Sequence, residues 1–294
     1  MRIGTRGSPL ALVQAHEVRE RLELAWPSLR GQIQVIVIDT KGDQILDKPL
    51  AEIGGKGLFT EELEAQLRDG RVDIAVHSMK DMPTQLPAGL HIGCLLTRED
   101  PRDVLLSRGG LRLEQLPKGA VIGTASLRRR SQVLHLRPDL NVVTFRGNVQ
   151  TRIRKLEQGH ADATLLALAG LKRLGLESAA TEIFDPSDFV PAVAQGAIGV
   201  ECRVGDSDVQ GYLNAIHCTE TEICLRAERS MLAALDGSCR TPIAGHAVLT
   251  GDVVTLSGML DAGQGVIRAS ESSVAADAAE LGLRLAAKLK GLCR

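Results

Sequence analysis

Along this chain the spacing of apolar and polar positions changes period repeatedly, and each change marks an element. Residues 2–5 read as a short strand. Ser8-Pro9 then carries the N-cap and N1 signature of a helix, which Leu12, Ala15, Val18, Leu22 and Ala25 continue at helical spacing. The apolar run 33–39 predicts a buried strand, so the first forty residues make a βαβ unit with parallel pairing. Thr60-Glu61-Glu62-Leu63 opens a helix that reaches about Arg68 and ends at Gly70. Residues 72–76 read as a second buried strand and run into His77-Ser78-Met79-Lys80-Asp81-Met82-Pro83, where proline stops regular structure.

A third strand is predicted over 91–96, and the charged, proline-containing stretch Arg98-Glu99-Asp100-Pro101-Arg102-Asp103 reads as a boundary. A second α/β pattern follows, with strands over 104–106, 120–123, 141–145 and 163–167. Helices are predicted over 126–136 and 148–157, with a short one ending at Leu174. Residues 190–197 look like a second crossing segment. A long helix over 220–235 precedes the loop Asp236-Gly237-Ser238-Cys239-Arg240-Thr241-Pro242. Three alternating runs, 243–249, 253–260 and 266–269, predict an antiparallel sheet. A final helix carries Ala278, Leu281, Leu285, Leu289 and Leu292 on one stripe.

Composition changes this picture in three places. At 294 residues the chain is too long for one ordinary core. Aromatics are only 2%, so the core must be built from Leu, Val, Ile and Ala. The formal net charge of -1 argues against a whole-protein nucleic-acid or membrane binder, yet Arg98 to Lys155 holds 13 Lys and Arg against 5 Asp and Glu. That segment is expected to face something anionic. The amino terminus enters a strand with no apolar signal region, and no apolar run is long enough to span a bilayer. The six cysteines form no CxxC pair and the histidines no ligand spacing, so neither a disulfide framework nor a metal site is indicated and a reducing cytoplasm is expected.

Chemistry concentrates at strand ends, where ligands sit in open α/β sheets. Lys80 and Asp81 are one such place, although a solvated turn with a surface ion pair reads as well; Arg6 and Ser8 are another. Lys56 lies in the glycine-rich 53–59, which lacks the order of a phosphate loop and reads as a lid. Gly123-Thr124-Ala125-Ser126-Leu127-Arg128-Arg129-Arg130 and Arg146-Gly147-Asn148 with Arg152 both run from strand end to helix start. Free N–H groups, hydroxyls and arginines make anion sites there. Arginines in a helix's first turn oppose its dipole, so an anionic partner is expected beside them; a solvated charge run is the bland alternative. Cys239, in a loop beside Arg240, is placed for exposure and a lowered thiol pKa, although a lone loop cysteine is most often incidental.

These stretches resemble the hydroxymethylbilane synthase, or porphobilinogen deaminase, family along almost the whole chain and in order. The matching blocks include residues 5–11, 54–59, 76–81, 98–103, 123–129, 146–148, 169–173 and 195–197. The resemblance implies a transferase carrying a dipyrromethane primer on Cys239 through a thioether. Four porphobilinogen units are added head to tail with loss of ammonia, and the tetrapyrrole is released by hydrolysis. It puts catalysis on Asp81. Primer contacts fall on Lys80, Ser78, Asp43, Thr124, Ser126, Arg128, Arg129 and Gln195. Substrate contacts fall on Arg6, Ser8, Gln14, Arg146, Arg152, Arg173, Lys56 and Phe59, with no metal. Ala125 stands where many relatives have serine and Ala194 where glycine is common.

The expected fold is α/β, with two periplasmic-binding-protein-like (type II) lobes joined by two crossing segments. A small α+β C-terminal domain with a three-stranded antiparallel sheet is added. Its expected limits are 1–97 with 197–216, then 98–196, then 217–294. The expectation is a cytoplasmic monomer acting on porphobilinogen, with neither nucleic acid nor membrane as partner. A two-lobe solute-binding protein for polycarboxylates is the rival reading, and a nucleic-acid binder resting on the basic segment a weaker one.

Overall fold

The computed structural model describes residues 1–40, 60–235 and 241–293. In chain order the elements begin β1 (Arg2–Thr5), α1 (Pro9–Ala25), β2 (Gln34–Val37), α2 (Glu61–Arg68), β3 (Ile74–Ser78) and β4 (Leu90–Leu95). They continue β5 (Asp103–Ser107), β6 (Val121–Gly123), α3 (Leu127–Leu136), β7 (Asn141–Val143), α4 (Val149–Glu157), β8 (Ala163–Ala167), α5 (Leu168–Arg173) and β9 (Glu182–Ile183). The last are β10 (Ile198–Arg203), α6 (Ser207–Asn214), α7 (Thr219–Ala234), β11 (Ile243–Thr250), β12 (Val253–Asp261), β13 (Val266–Val274) and α8 (Ala278–Leu292).

Among the described residues the chain divides into two compact units, one of 1–40, 60–99 and 197–222, the other of 100–196, 223–235 and 241–293. The first is built on a five-stranded sheet of order β2-β1-β3-β10-β4. β1 pairs in parallel with β2 and β3, whereas β10 runs antiparallel to both β3 and β4. The second contains a sheet of order β7-β6-β8-β5-β9 with the same pattern, β5 being its antiparallel strand. Each sheet thus has three parallel strands, then one reversed strand, then an outer edge, the strand order expected of a type II binding-protein lobe. The reversed strands, β5 and β10, follow the passages of the chain between the units at 99/100 and 196/197.

Local signals fix most boundaries. Ser8 caps α1, its hydroxyl accepting from Ala11 N at 3.3 Å, with Pro9 at N1. Asn148 caps α4 through Thr151 N at 2.8 Å. Ile3, Ile74, Val76 and Val200 pack with Ala15, Val18 and Leu22 of α1 on one face of the first sheet. Leu63 and Leu67 of α2 cover Ala75 on the other. In the second unit Leu105, Ile122 and Leu165 form the matching core with Val133 and Phe189.

The three-stranded sheet β11-β12-β13 is antiparallel as the alternation requires, and α8 packs on β12 and β13. β13 runs to Val274 rather than stopping near Ala269, because Ser270, Ser272 and Ser273 still pair with β12. Two further expectations need correction. The run 33–39 forms an edge strand only over Gln34–Val37 and is half-exposed; Ile33 and Ile38 turn inward at its ends. Leu292 is 54% exposed, off the buried stripe that Leu281, Leu285 and Leu289 make.

Candidate active site

The parallel pairing of β1 with β3 brings their carboxyl ends together, Thr5 on one and Ser78 on the other. After β3 a single 3₁₀ turn, Met79–Asp81, buries Met79 and exposes Lys80 and Asp81. Gln14, buried on α1, donates from Nε2 to Ser78 Oγ at 2.8 Å. A cavity of about 80 Å³ opens here, lined by Arg6, Ser8, Gln14, His77, Ser78 and Asp81. Five of these residues are site candidates from sequence, and Lys80 does not line the cavity. Asp81 has no hydrogen-bond or ion-pair partner among the described residues, so its carboxylate is available to a ligand's N–H groups.

The second unit builds a cationic cluster at the corresponding edge of its own sheet. Gly123 ends β6 where a Cβ would lie 2.5 Å from the Phe145 ring, so only glycine lets the chain turn there. Ser126 caps α3 through Arg129 N at 3.4 Å, and Thr124 Oγ1 accepts from Ser126 N at 3.2 Å. Arg128 and Arg129, on the first turn of α3, are almost fully buried, while Arg130 is exposed. Their anionic partner is Asp103, the first residue of β5. Asp103 Oδ2 accepts from Arg128 Nη1 at 2.6 Å, and Oδ1 from Arg129 Nη2 at 2.7 Å and Nε at 2.9 Å. Gln195 Nε2 adds 3.1 Å to Oδ1 and 2.7 Å to Pro101 O.

Burial pulls the Asp103 carboxyl upward, but the Arg128 and Arg129 charges overcome it and hold the group well below the usual carboxylate range. The charged stretch 98–103 is therefore no solvated boundary at its last residue: Asp103 is fully buried. The expectation of an anion beside the first-turn arginines is met inside the chain. Two guanidiniums against one carboxylate still leave the cluster net positive, so it can attract a carboxylate ligand as well.

Gly147, at φ +124, turns the chain from Arg146 into α4. Arg152 Nε donates to Gly147 O at 2.9 Å, and Lys155 Nζ to Arg146 O at 3.1 Å. Arg173 Nη2 donates to Gly196 O at 3.1 Å, next to Gln195. Asp43, Lys56, Phe59 and Cys239 lie outside the described residues. Of the other cysteines, Cys94 is pushed up to about 12 and Cys202 to about 11 by burial, as suits packing residues. Cys218 differs: against the pull of burial, hydrogen bonds with Thr221 and Thr97 draw its thiol below the usual range.

Sequence reasoning missed Asp103 as a member of the arginine cluster. An aspartate directly before the apolar run 104–106 was the available signal. Among the described residues no group of His, Cys, Asp and Glu has metal-site geometry, and no helix is long and apolar enough to cross a membrane.

Each unit thus places cationic and hydroxyl donors at its strand ends, and the first adds an available carboxylate. A model described as porphobilinogen deaminase, dipyromethane cofactor binding domain, matches residues 1–211, and one described as porphobilinogen deaminase, C-terminal domain, matches 222–291. The chain belongs to the porphobilinogen deaminase family, whose members are transferases also called hydroxymethylbilane synthases. A chloroplastic porphobilinogen deaminase from Oryza sativa subsp. japonica is 55% identical over 249 residues, 84% of this chain and 70% of that one. The porphobilinogen deaminase of Nitrobacter winogradskyi is 52% identical over 290 residues, 98% of this chain and 92% of that one. The crystal structure of the Bordetella pertussis BvgS periplasmic VFT2 domain aligns at 16% identity with TM-score 0.43, over 74% of this chain and 86% of that one. Family membership does not favour a polycarboxylate-binding protein.

Proposed function

We propose that this chain condenses four porphobilinogen molecules head to tail on an enzyme-bound dipyrromethane primer, releasing ammonia at each addition, and then frees hydroxymethylbilane by hydrolysis. The observation that carries this reading is Asp81 at the carboxyl end of β3, its carboxylate beside a cavity lined by Arg6, Ser8, Gln14 and Ser78.

The donor sets present fit the dipyrromethane. Its side chains are acetates and propionates, and the Arg128–Arg129–Asp103 cluster keeps a net positive charge with Ser126 and Thr124 hydroxyls beside it. When bound through a thioether at Cys239, the primer supplies the pyrrole carbon to which the first substrate is joined. The residues that would hold its carboxylates are Lys80, Ser78, Thr124, Ser126, Arg128, Arg129 and Gln195, and the family resemblance adds Asp43 as a further primer contact.

Arg6, Ser8, Gln14, Arg146, Arg152 and Arg173 would hold the incoming substrate's carboxylates, and the resemblance adds Lys56 and Phe59 as further substrate contacts. Asp81 accepts pyrrole N–H hydrogen bonds, and its charge favours loss of ammonia by stabilising the positive charge that develops as the C–N bond breaks. We read the organisation as three domains, 1–97 with 197–216, 98–196, and 217–294. We read the protein as a cytoplasmic monomer without nucleic-acid or membrane partners.

Intact mass spectrometry tests this function. Purified active protein should exceed its sequence mass by one dipyrromethane, and Cys239→Ser should remove the increment. Active protein of unmodified mass would overturn the reading.

A further inference from the structure

The face of the first sheet covered by α2 carries Arg203 at its rim, bonded to Leu67 O and Val72 O, and a polar group at one place inside. There three ionisable side chains from three elements converge. His77 lies two residues beyond Ala75, on the same face of β3, and the pairing Ala75↔Glu201 puts Glu201 of β10 on that face too. Glu64 comes from the first turn of α2. Their exposures are 6% for His77, 0% for Glu201 and 4% for Glu64. His77 Nε2 is 3.0 Å from Glu201 Oε2, whereas Glu201 Oε1 is buried with no hydrogen-bond partner.

Two carboxylates and an imidazole lie together out of water here, where each uncompensated charge costs several kcal/mol. Arg68 faces them from α2, but it is half-exposed and 4.0 Å from Glu64. Burial pushes the Glu64 carboxyl above the usual range; a hydrogen bond with Thr60 opposes the push and the Glu201 charge adds to it. His77, and the Thr60 that hydrogen-bonds Glu64, both line the cavity that Asp81 and Arg6 line.

We propose that His77, backed by Glu201 and Glu64, is a second proton-holding group of the Asp81 cavity, with Nδ1 as the exchanging atom. With its Nε2–H donated to Glu201, the ring accepts at Nδ1 when neutral and donates there when charged. A buried carboxylate behind the imidazole fixes that tautomer and orients the ring, as in the carboxylate–histidine pairs of other acid–base sites.

This inference rests on the reaction proposed above. At each addition the aminomethyl C–N bond of the substrate ammonium breaks, its electron pair leaving on nitrogen as ammonia. A C–C bond forms, and the accepting carbon gives up one proton. One proton per addition is thus left in the site. Asp81 that took it would begin the next addition neutral; transfer to His77 Nδ1 restores the carboxylate. The imidazolium then passes the proton to ammonia or water.

Glu201→Gln keeps the size and an acceptor for Nε2–H while removing the charge. In the holoenzyme it should leave the primer mass increment and the melting temperature unchanged. Histidine ¹⁵N NMR should show the His77 signal, assigned by its absence in His77→Gln, losing its single Nε2-protonated form. With porphobilinogen, kcat should fall about tenfold with KM within twofold, and the pH profile of kcat should change shape. An unchanged ¹⁵N signature, or an unchanged pH profile, would overturn the proposal. Should Glu201→Gln fail to fold, His77→Gln decides: wild-type kcat and pH profile there would overturn it equally. Wild-type protein lacking primer and turnover would instead overturn the function.

Discussion

Asp103 Oδ2 accepts a 2.6 Å hydrogen bond from Arg128 Nη1, joining the start of β5 to the first turn of α3 in a fully buried pair. Arg129 and Gln195 close on the other oxygen. The arrangement ties the first residue of the reversed strand, the start of a helix and the return segment of the chain to one carboxylate.

Removing that carboxylate strands two buried guanidiniums. Asp103→Asn should cost roughly 3–5 kcal/mol at pH 7, read from denaturant unfolding of the second unit's transition. Because the folded carboxyl is held below the usual range, its stabilisation is present above the unfolded value, near 3.9, and fades as pH falls below that. The deficit of the variant should therefore shrink on going from pH 7 to pH 3. A deficit independent of pH would show that the ion pair is not its source.

How much of this was legible in the sequence follows from range. Ser8 and Asn148 act on N–H groups three residues away, so their helices could be read from local patterns, as could the alternation of β11 to β13. The Asp103 cluster joins residues 25 and 92 positions apart. A run of arginines could announce that an anion was needed, yet only the fold decides that the chain supplies one. The reversal of β5 and β10 was hidden for the same reason: apolar runs carry no direction. His77 read as the polar residue just past the strand over 72–76 and Glu201 lay in a stretch assigned no element, so only the pairing of β10 beside β3 joined these residues 124 positions apart.

Glu64 gives the opposite pH dependence. Its folded carboxyl sits above the usual range, so the folded state binds the proton more tightly than the unfolded chain. Stability is fully present below the unfolded value and declines as pH rises through the folded one. Glu64→Gln, which cannot titrate, should gain on the wild type between pH 4 and pH 8. Thermal unfolding at both pH values checks the sign; a wild type that gains on the variant as pH rises would contradict it.

Asp81→Ala should leave primer attachment intact, since Asp81 has no partner among the described residues whose packing depends on it. Turnover should fall by about 10²–10⁴, the range a positioned proton-transfer group supplies. Intact mass together with single-turnover rates separates the two effects. A variant with the increment missing would assign Asp81 to primer assembly instead.

The two arginine groups should separate by assay. Arg128 is buried on Asp103, whereas Arg152 is half-buried on the turn at Gly147. Arg128→Ala should lower the fraction of molecules carrying the primer increment more than Arg152→Ala does, and Arg152→Ala should raise KM for porphobilinogen. Equal loss of increment in both would undo the division into primer and substrate groups.

Ala194 tests the crossing segment. Among the described residues it is the non-glycine residue with positive φ, at 60°, and it precedes Gln195 and the left-handed Gly196. Glu228, fully buried on α7, holds it there by accepting from Ala194 N at 2.6 Å and from Ala247 N at 2.7 Å. A left-handed alanine costs about 1–2 kcal/mol, and glycine recovers this less about 0.5–1 kcal/mol of added unfolded-chain entropy. Ala194→Gly should therefore stabilise the protein by about 0.5–1 kcal/mol, a change opposite in sign to the usual effect of introducing glycine. Glu228→Ala, which frees the same segment and leaves two buried N–H groups unpaired, should destabilise by several kcal/mol. Denaturant midpoints of the two variants check both signs; a destabilised Ala194→Gly would mean that the segment relaxes without strain.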